Sequence, residues 1–206
     1  MAIWLLRRSR RDLYDLLDFI LAVPQSRLAV RRLYLAGPEV FRRDAGAIGA
    51  ELKARCAHCG FEGVYPLEAE LAIGDEALSR RIFEANLASI RACDAMIANL
   101  SPFRGPSADA GTVFELGFAV AIGKPVFAYA DSSESYASRV AQRNGPLRKA
   151  DGRLFASDGM SVEDFGLTDN LMIVEAVSAQ GWDIVMGETR AGFEECLRRA
   201  AAYFVS

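Results

Sequence analysis

Histidine is nearly absent from this chain, which contains only His58. A Ser-His-Asp triad needs a histidine beside its nucleophile. His58 stands where a helix is expected to end, so a triad of that kind is disfavoured. The same histidine lies inside the one C-x-x-C pair, Cys56 and Cys59, but a zinc site needs a second pair of ligands at suitable spacing. We therefore interpret these cysteines as structural, and we expect no metal and no cofactor.

Other common signatures are also missing. Gly37-Pro38 follows the first expected strand where a dinucleotide-binding protein would have G-x-G-x-x-G, and no G-x-x-x-x-G-K-[ST] occurs. No run reaches the roughly 20 apolar residues that a membrane-spanning helix needs. The net charge is −3, which disfavours a large nucleic-acid-binding face. Four cysteines are compatible with the reducing cytoplasm, where we expect the protein to reside.

Residues 1–28 differ in character from the rest of the chain. Their first eleven residues are basic, and Leu13 to Val23 has the pattern of an amphipathic helix. A secretory signal carries its charge before the apolar run, whereas here an apolar tetrad precedes the arginines. We interpret this segment as an extension of a domain that spans residues 29–206. An arm that binds a membrane surface or a partner is the alternative.

Short apolar strands alternate with helices over the first part of this domain. The pattern predicts an α/β fold with a mainly parallel sheet of about five strands and helices on both faces. The carboxyl ends of the strands should converge on one edge, where such sheets bind ligands. Strands are expected at 33–36, 63–66, 94–100 and 126–129, and helices at 44–56 and 75–93.

The pattern weakens after Tyr129. Residues 131–169 are polar and rich in glycine, which indicates a lid, a binding loop or an interface segment. Two helices are expected after it, at 170–179 and 188–204, with a short fifth strand at 183–185 between them.

The most informative stretch runs from Ser107 to Ala130. It predicts a loop, a buried helix and a buried strand, and Glu115 is the one carboxylate within the apolar helix. Burying a carboxylate costs free energy unless it is paired or used. Asp109 lies where the helix should begin. Because helical side chains lean toward the N-terminus, Glu115 should lean over Gly111, whose missing side chain leaves room for a ligand.

Taken singly, the other candidates have ordinary structural explanations. Asp109 is a favoured helix N-cap, and Asp94 opens a strand. Tyr34 in a buried strand is usually part of the core, and Asn170 stands at a helix start. Glu115 itself can be a structural carboxylate satisfied by an arginine, or else a nucleophile or general base.

Five segments of the chain form a recognisable series. In chain order they are Leu33 to Phe41, Gly60 to Leu67, Asp94 to Leu100, Asp109 to Ala119, and Asn170-Leu171-Met172. Together they resemble the nucleoside 2-deoxyribosyltransferase family. The resemblance covers about Leu33 to Ala179, and its central block and late Asn-Leu-Met segment are fairly specific together.

The resemblance implies a doubly wound, flavodoxin-like α/β fold. It also implies an enzyme that exchanges the base of a 2′-deoxynucleoside through a covalent glutamyl intermediate, in nucleotide salvage. Its partners would be 2′-deoxynucleosides and free nucleobases, with neither nucleic acid nor a membrane span involved. The chain would form a homo-oligomer with shared sites, in which a neighbouring subunit supplies an asparagine.

The resemblance also assigns roles to individual residues. Glu115 corresponds to the nucleophile, with Asp109, Asp94 and Tyr34 as the other catalytic residues. The substrate-binding positions would be Gly37, Pro38, Phe41, Gly111, Asn170 and Met172. Two alternatives remain open: a deoxynucleoside or deoxynucleotide N-glycosidase that uses water as acceptor, and a module that senses nucleosides or nucleotides without turnover.

Overall fold

The computed structural model describes residues 30–66 and 77–205. The expected extension at residues 1–28, the expected loop at 67–74 and the start of the helix expected from Asp75 lie outside the described residues.

The described elements follow the predicted alternation up to β4, with strand and helix bounds within a few residues of those expected. In chain order they are β1 (Arg32–Ala36), a 3-10 turn (Pro38–Phe41), α1 (Ala45–His58), β2 (Glu62–Val64), α2 (Leu78–Ala92), β3 (Ala95–Asn99), α3 (Ala110–Ala121), β4 (Val126–Ala130), α4 (Tyr136–Asn144), β5 (Arg148–Ala150), β6 (Arg153–Phe155), β7 (Ser161–Val162), α5 (Leu171–Ser178), β8 (Val185–Met186) and α6 (Thr189–Val205).

The main sheet has five parallel strands in the order β2-β1-β3-β4-β8, which confirms the predicted fold class. Each face is covered by helices, because the strand side chains alternate between two apolar clusters. One cluster joins Tyr34 and Met96 to α2, α3 and α5. The other joins Leu33 and Ile97 to α1 and α6. All five strands therefore direct their carboxyl ends toward one edge of the sheet.

The segment 131–169 is more regular than expected. It contains α4 and an antiparallel sheet of β5, β6 and β7. Asp151 and Gly152 connect β5 to β6, and both have positive φ, 50° and 76°. Asp-Gly is the preferred pair for a two-residue hairpin turn of this kind. Three-residue strands are too short to give a period of their own, so the turn was the only sequence signal for this hairpin.

The two cysteines of the C-x-x-C pair lie at the end of α1. Cys56 is fully buried, and Cys59 follows the last helical residue and is exposed. Over residues 30–66 and 77–205, no group of His, Cys, Asp and Glu side chains is arranged to hold a metal ion. No helix within those ranges has the length and apolar character to cross a membrane.

Candidate active site

Glu115 lies in the second turn of α3, which packs on the sheet face that carries Tyr34. Leu116 and Ala119 bury that helix in the core. Their neighbour Glu115 is partly buried, and its side chain points toward β1 and α2.

Two donors hold the carboxylate of Glu115, and both bind the same oxygen. The Tyr34 hydroxyl donates to Oε1 at 2.7 Å, and the Asn86 amide Nδ2 donates to Oε1 at 3.1 Å. Among the described residues, Oε2 has no hydrogen-bond partner. Within the part of the chain that the structure describes, the carboxylate is therefore held through one oxygen only.

Burial raises the pKa of Glu115, and the charge of Asp109 raises it further. The hydrogen bonds from Tyr34 and Asn86 oppose this rise because they stabilise the ionised form. Burial also raises the pKa of Tyr34, and the Glu115 charge adds to the effect. Tyr34 therefore keeps its proton and acts as a donor to Glu115.

Asp109 is the N-cap of α3, as the sequence indicated. Its Oδ2 accepts hydrogen bonds from the Thr112 amide at 2.9 Å and from the Thr112 hydroxyl at 3.1 Å. A Cβ atom at Gly111 would come within 3.1 Å of that same oxygen. Gly111 thus leaves space beside the Asp109 carboxylate, which is close enough to Glu115 for its charge to affect the pKa.

Asp94 does not join this cluster. It directly precedes β3 and so lies at the amino edge of the parallel sheet, opposite the edge where the strands end. Its carboxylate accepts hydrogen bonds from the Arg32 amide and the Arg31 guanidinium, both at 2.8 Å. These bonds outweigh burial and lower the pKa of Asp94. The sequence analysis expected Asp94 beside Glu115 as a catalytic residue. The structure instead places it at the other edge of the sheet, because the start and the end of a strand lie at opposite edges.

Asn86 takes a place beside Glu115 that the sequence analysis missed. It sits four residues after Ile82 and four before Ile90, within the apolar stripe of α2. The sequence could have indicated this role, because a polar side chain within the apolar pattern of a helix needs a hydrogen-bond partner.

The first strand delivers Gly37, Pro38 and Phe41 to the carboxyl edge, as expected. The Phe41 ring stacks on Phe103 with centroids 5.2 Å apart, and the Arg104 guanidinium lies over both rings. Phe41 remains 56% exposed. This aromatic pair offers a flat surface at the edge where doubly wound folds bind ligands.

A second polar cluster, also missed by the sequence analysis, joins the strand ends. Glu39 Oε1 accepts hydrogen bonds from Asn99 at 2.5 Å and from the Tyr129 hydroxyl at 3.3 Å. A Cβ at Gly37 would lie 2.1 Å from Glu39 Oε2, so glycine is required there for Glu39 to fold back. This cluster connects the ends of β1, β3 and β4.

A buried ion pair anchors the loop that leads to Asp109. Asp169 accepts hydrogen bonds from the Ser107 hydroxyl at 2.5 Å and the Ala108 amide at 2.9 Å. Arg139 lies 3.7 Å from Asp169 and donates to the carbonyls of Pro106 and Thr168. The loop before α3 and the start of α5 are thus held by the same two charged residues.

Asn170 and Met172 lie across α3 from Glu115. They line a groove of about 720 Å³ together with Val113 and Gly117 of α3. Glu115 and Gly117 are two residues apart, about 200° of helical rotation, so they point to nearly opposite sides. Asn170 caps α5, and Met172 is 72% exposed. The structure does not bring these two residues to the Glu115 of the same chain.

A family model and a solved structure identify the family of this chain. A family model described as nucleoside 2-deoxyribosyltransferase matches residues 33–172. A solved 2-deoxyribosyltransferase of Leishmania mexicana is 33% identical, with a TM-score of 0.60, over 82% of this chain and 97% of that one. An uncharacterized protein of Schizosaccharomyces pombe is 34% identical over 68% of this chain and 74% of its own length. A conserved protein of Enterococcus faecalis shares the fold, with a TM-score of 0.52 and 23% identity, over 84% of this chain and 99% of that one.

Proposed function

Because the chain belongs to the nucleoside 2-deoxyribosyltransferase family, we propose that it transfers a 2-deoxyribosyl group between nucleobases, with Glu115 as the nucleophile. One observation supports this most strongly. Glu115 is a partly buried carboxylate that receives both of its described donors on Oε1, which leaves Oε2 without a partner among the described residues. Oε2 is not a buried unpaired atom, so a substrate atom can approach it.

In the first step, Glu115 Oε2 attacks the anomeric carbon of the nucleoside. A C–O bond forms as the C–N bond to the base breaks, and the electron pair of that bond leaves with the base. The transition state resembles an oxocarbenium ion, so the negative charge of Glu115 stabilises it before the ester forms. Tyr34 and Asn86 keep the carboxylate in place during this step.

Asp109 carries the proton that the reaction moves. In its protonated form it gives this proton to the nitrogen of the departing base. In the second step a nitrogen of the incoming base attacks the anomeric carbon, Asp109 takes the proton from that nitrogen, and Glu115 leaves. Two inversions return the original configuration and the free carboxylate.

Asn170 and Met172 serve the site of a neighbouring subunit. Their position on the far side of α3 from Glu115 supports this, as does the exposure of Met172 beside an apolar groove. Phe114, 53% exposed on the same helix, adds apolar surface that a second copy can cover. The functional unit is then a homo-oligomer with shared sites.

The acceptor assay tests the reaction. The protein is incubated with deoxyinosine and adenine, and the products are separated. We expect deoxyadenosine and hypoxanthine. Free deoxyribose alone would refute the transferase and identify a hydrolase, and the absence of any product would favour a binding module.

Mass spectrometry tests the intermediate. Incubation with deoxyinosine alone should add one deoxyribosyl group to the peptide that contains Glu115, and Glu115→Gln should remove the adduct. An adduct on any other residue would contradict the assignment of the nucleophile.

Co-expression of two inactive variants tests the shared site. Glu115→Gln and Asn170→Ala, carried on differently tagged copies, should regain part of the activity in the mixed oligomer. One of its sites combines an intact Glu115 with an intact Asn170. A fully active monomer in a sizing experiment would refute the shared site.

A further inference from the structure

The carboxylate of Glu163 accepts two hydrogen bonds at the N-terminal cap of α5. Its Oε1 accepts a hydrogen bond from Asn170 Nδ2 at 2.8 Å, and its Oε2 accepts one from the Leu171 amide at 2.9 Å. Asn170 Oδ1 in turn accepts the Met172 amide at 3.0 Å. Glu163 comes just after β7, so the small antiparallel sheet supplies the residue that holds the cap.

These contacts fix which way the Asn170 amide faces. If the amide were rotated by 180°, its NH₂ group would meet the Met172 amide donor. Its oxygen would then meet the Glu163 carboxylate. Both contacts are repulsive, because donor would face donor and acceptor would face acceptor. The Met172 amide and the Glu163 carboxylate therefore set the orientation of this amide together, and Glu163 is the side chain that does so.

The orientation leaves Asn170 with one free N–H group. Glu163 uses the other N–H, and the Met172 amide uses one of the two lone pairs on the oxygen. The free N–H can only donate, so the ligand atom that it meets must be an acceptor. A 2′-deoxynucleoside offers acceptors on both its sugar and its base.

We propose that Glu163 is a positioning residue: it holds the Asn170 amide so that its free N–H points outward and donates to an acceptor atom of the substrate in the neighbouring subunit's site. This inference rests on the proposed function, since it takes Asn170 to act on the nucleoside. It adds a residue outside the cluster around Glu115, and it gives the 131–169 segment a role in catalysis.

An exchange of the two side chains tests the proposal. Asn170→Asp keeps a good helix cap but sets two carboxylates against each other. Glu163→Gln keeps the size of the side chain but replaces one of its two acceptor oxygens by a donor, so either Asn170 or the Leu171 amide loses its partner. Combined, the two changes restore one hydrogen bond with its polarity reversed, because the glutamine can donate to the aspartate and still accept from Leu171.

The double variant should regain stability without regaining activity. Each single variant should unfold at a lower temperature than the parent chain and lose about tenfold or more in kcat/KM for deoxyribosyl transfer, as for hydrogen bonds to charged groups. The double variant should regain the unfolding temperature. It should stay as inactive as Asn170→Asp, because the N–H that donates to the substrate is still missing.

Glu175→Gln is the matched control. It makes the same chemical change on α5, at an exposed side chain, and should leave both readouts unchanged. Recovery of kcat/KM together with stability in the double variant would overturn the proposal, and so would full activity in Glu163→Gln. A parent chain that neither transfers nor hydrolyses deoxynucleosides would instead refute the proposed function, and this inference with it.

Discussion

Replacing Tyr34 by phenylalanine removes one atom from the best-defined contact of the site. The Tyr34 hydroxyl is fully buried and donates to Glu115 Oε1 at 2.7 Å. Phenylalanine fills the same volume, so the packing of β1 against α2 and α3 should persist. Asn86 remains as the only described donor to that oxygen.

The size of the effect follows from the kind of bond that is lost. A hydrogen bond to a charged group contributes about 1.5–3 kcal/mol, which corresponds to a loss of about 10- to 150-fold in rate. The hydrogen bond from Tyr34 lowers the pKa of Glu115 because it stabilises the ionised form. Without it the pKa rises further, and less of the nucleophile is ionised at any acidic pH.

The assay is the pH dependence of kcat/KM for transfer from deoxyinosine to adenine. The acidic limb should move to higher pH in Tyr34→Phe. The loss should be largest at low pH and smaller where Glu115 is ionised in both proteins. A loss of equal size at every pH, or an acidic limb that does not move, would refute the reasoning.

Tyr65→Phe provides the matched control. The Tyr65 hydroxyl is buried near the end of β2 and has no hydrogen-bond partner among the described residues. Its removal relieves an unsatisfied polar group, so stability should be unchanged or slightly higher. The pH profile should match that of the parent chain.

Four further substitutions probe the carboxylates Glu115, Asp109 and Asp94. Glu115→Gln should abolish transfer and raise the unfolding temperature at neutral pH. Burial raises the pKa of Glu115 in the folded state, so its stabilising contribution is present at low pH and is lost as the pH rises through that pKa. The gain in thermal stability should therefore vanish in acid, and a gain that persists there would contradict this cause. Asp109→Ala should lower the free energy of unfolding by about 1 kcal/mol through loss of the cap, whereas Asp109→Asn should keep the cap and lose transfer, as chemical denaturation and the acceptor assay would show. Asp94→Asn should leave kcat/KM within about twofold, because Asp94 binds Arg31 at the other edge of the sheet, and a loss as large as that of Asp109→Asn would restore Asp94 to the site.

Periodicity predicted the fold well wherever elements were long enough to repeat. The α3 helix and strands β1, β3 and β4 were all expected close to their observed bounds, because buried parallel strands give short apolar runs and helices repeat every 3.6 residues. The hairpin of β5 and β6 was missed because its strands are only three residues long. The Asp151-Gly152 pair could have indicated the turn, but a search for periodic patterns does not detect it.

Residue types and spacing on their own left Glu115 undecided between a structural and a chemical role. The order of motifs favoured the chemical role and placed Tyr34 and Asp109 beside it. The structure brings Tyr34 to Glu115 through a hydrogen bond, and it places Asp109 at the N-cap of the same helix.

The sequence by itself determined which residues can react, because the order of the amino acids alone shows that a carboxylate lies within an apolar helix. Only the tertiary structure decided which of them meet. It excluded Asp94, which lies at the start of a strand, and it admitted Asn86, which is 29 residues from Glu115 in the chain. It also placed Asn170 behind α3 and gave it Glu163 as a partner. Which side chains come into contact depends on the direction of each strand and on the face that each helix packs against the sheet. Both are set by the burial of the whole sheet.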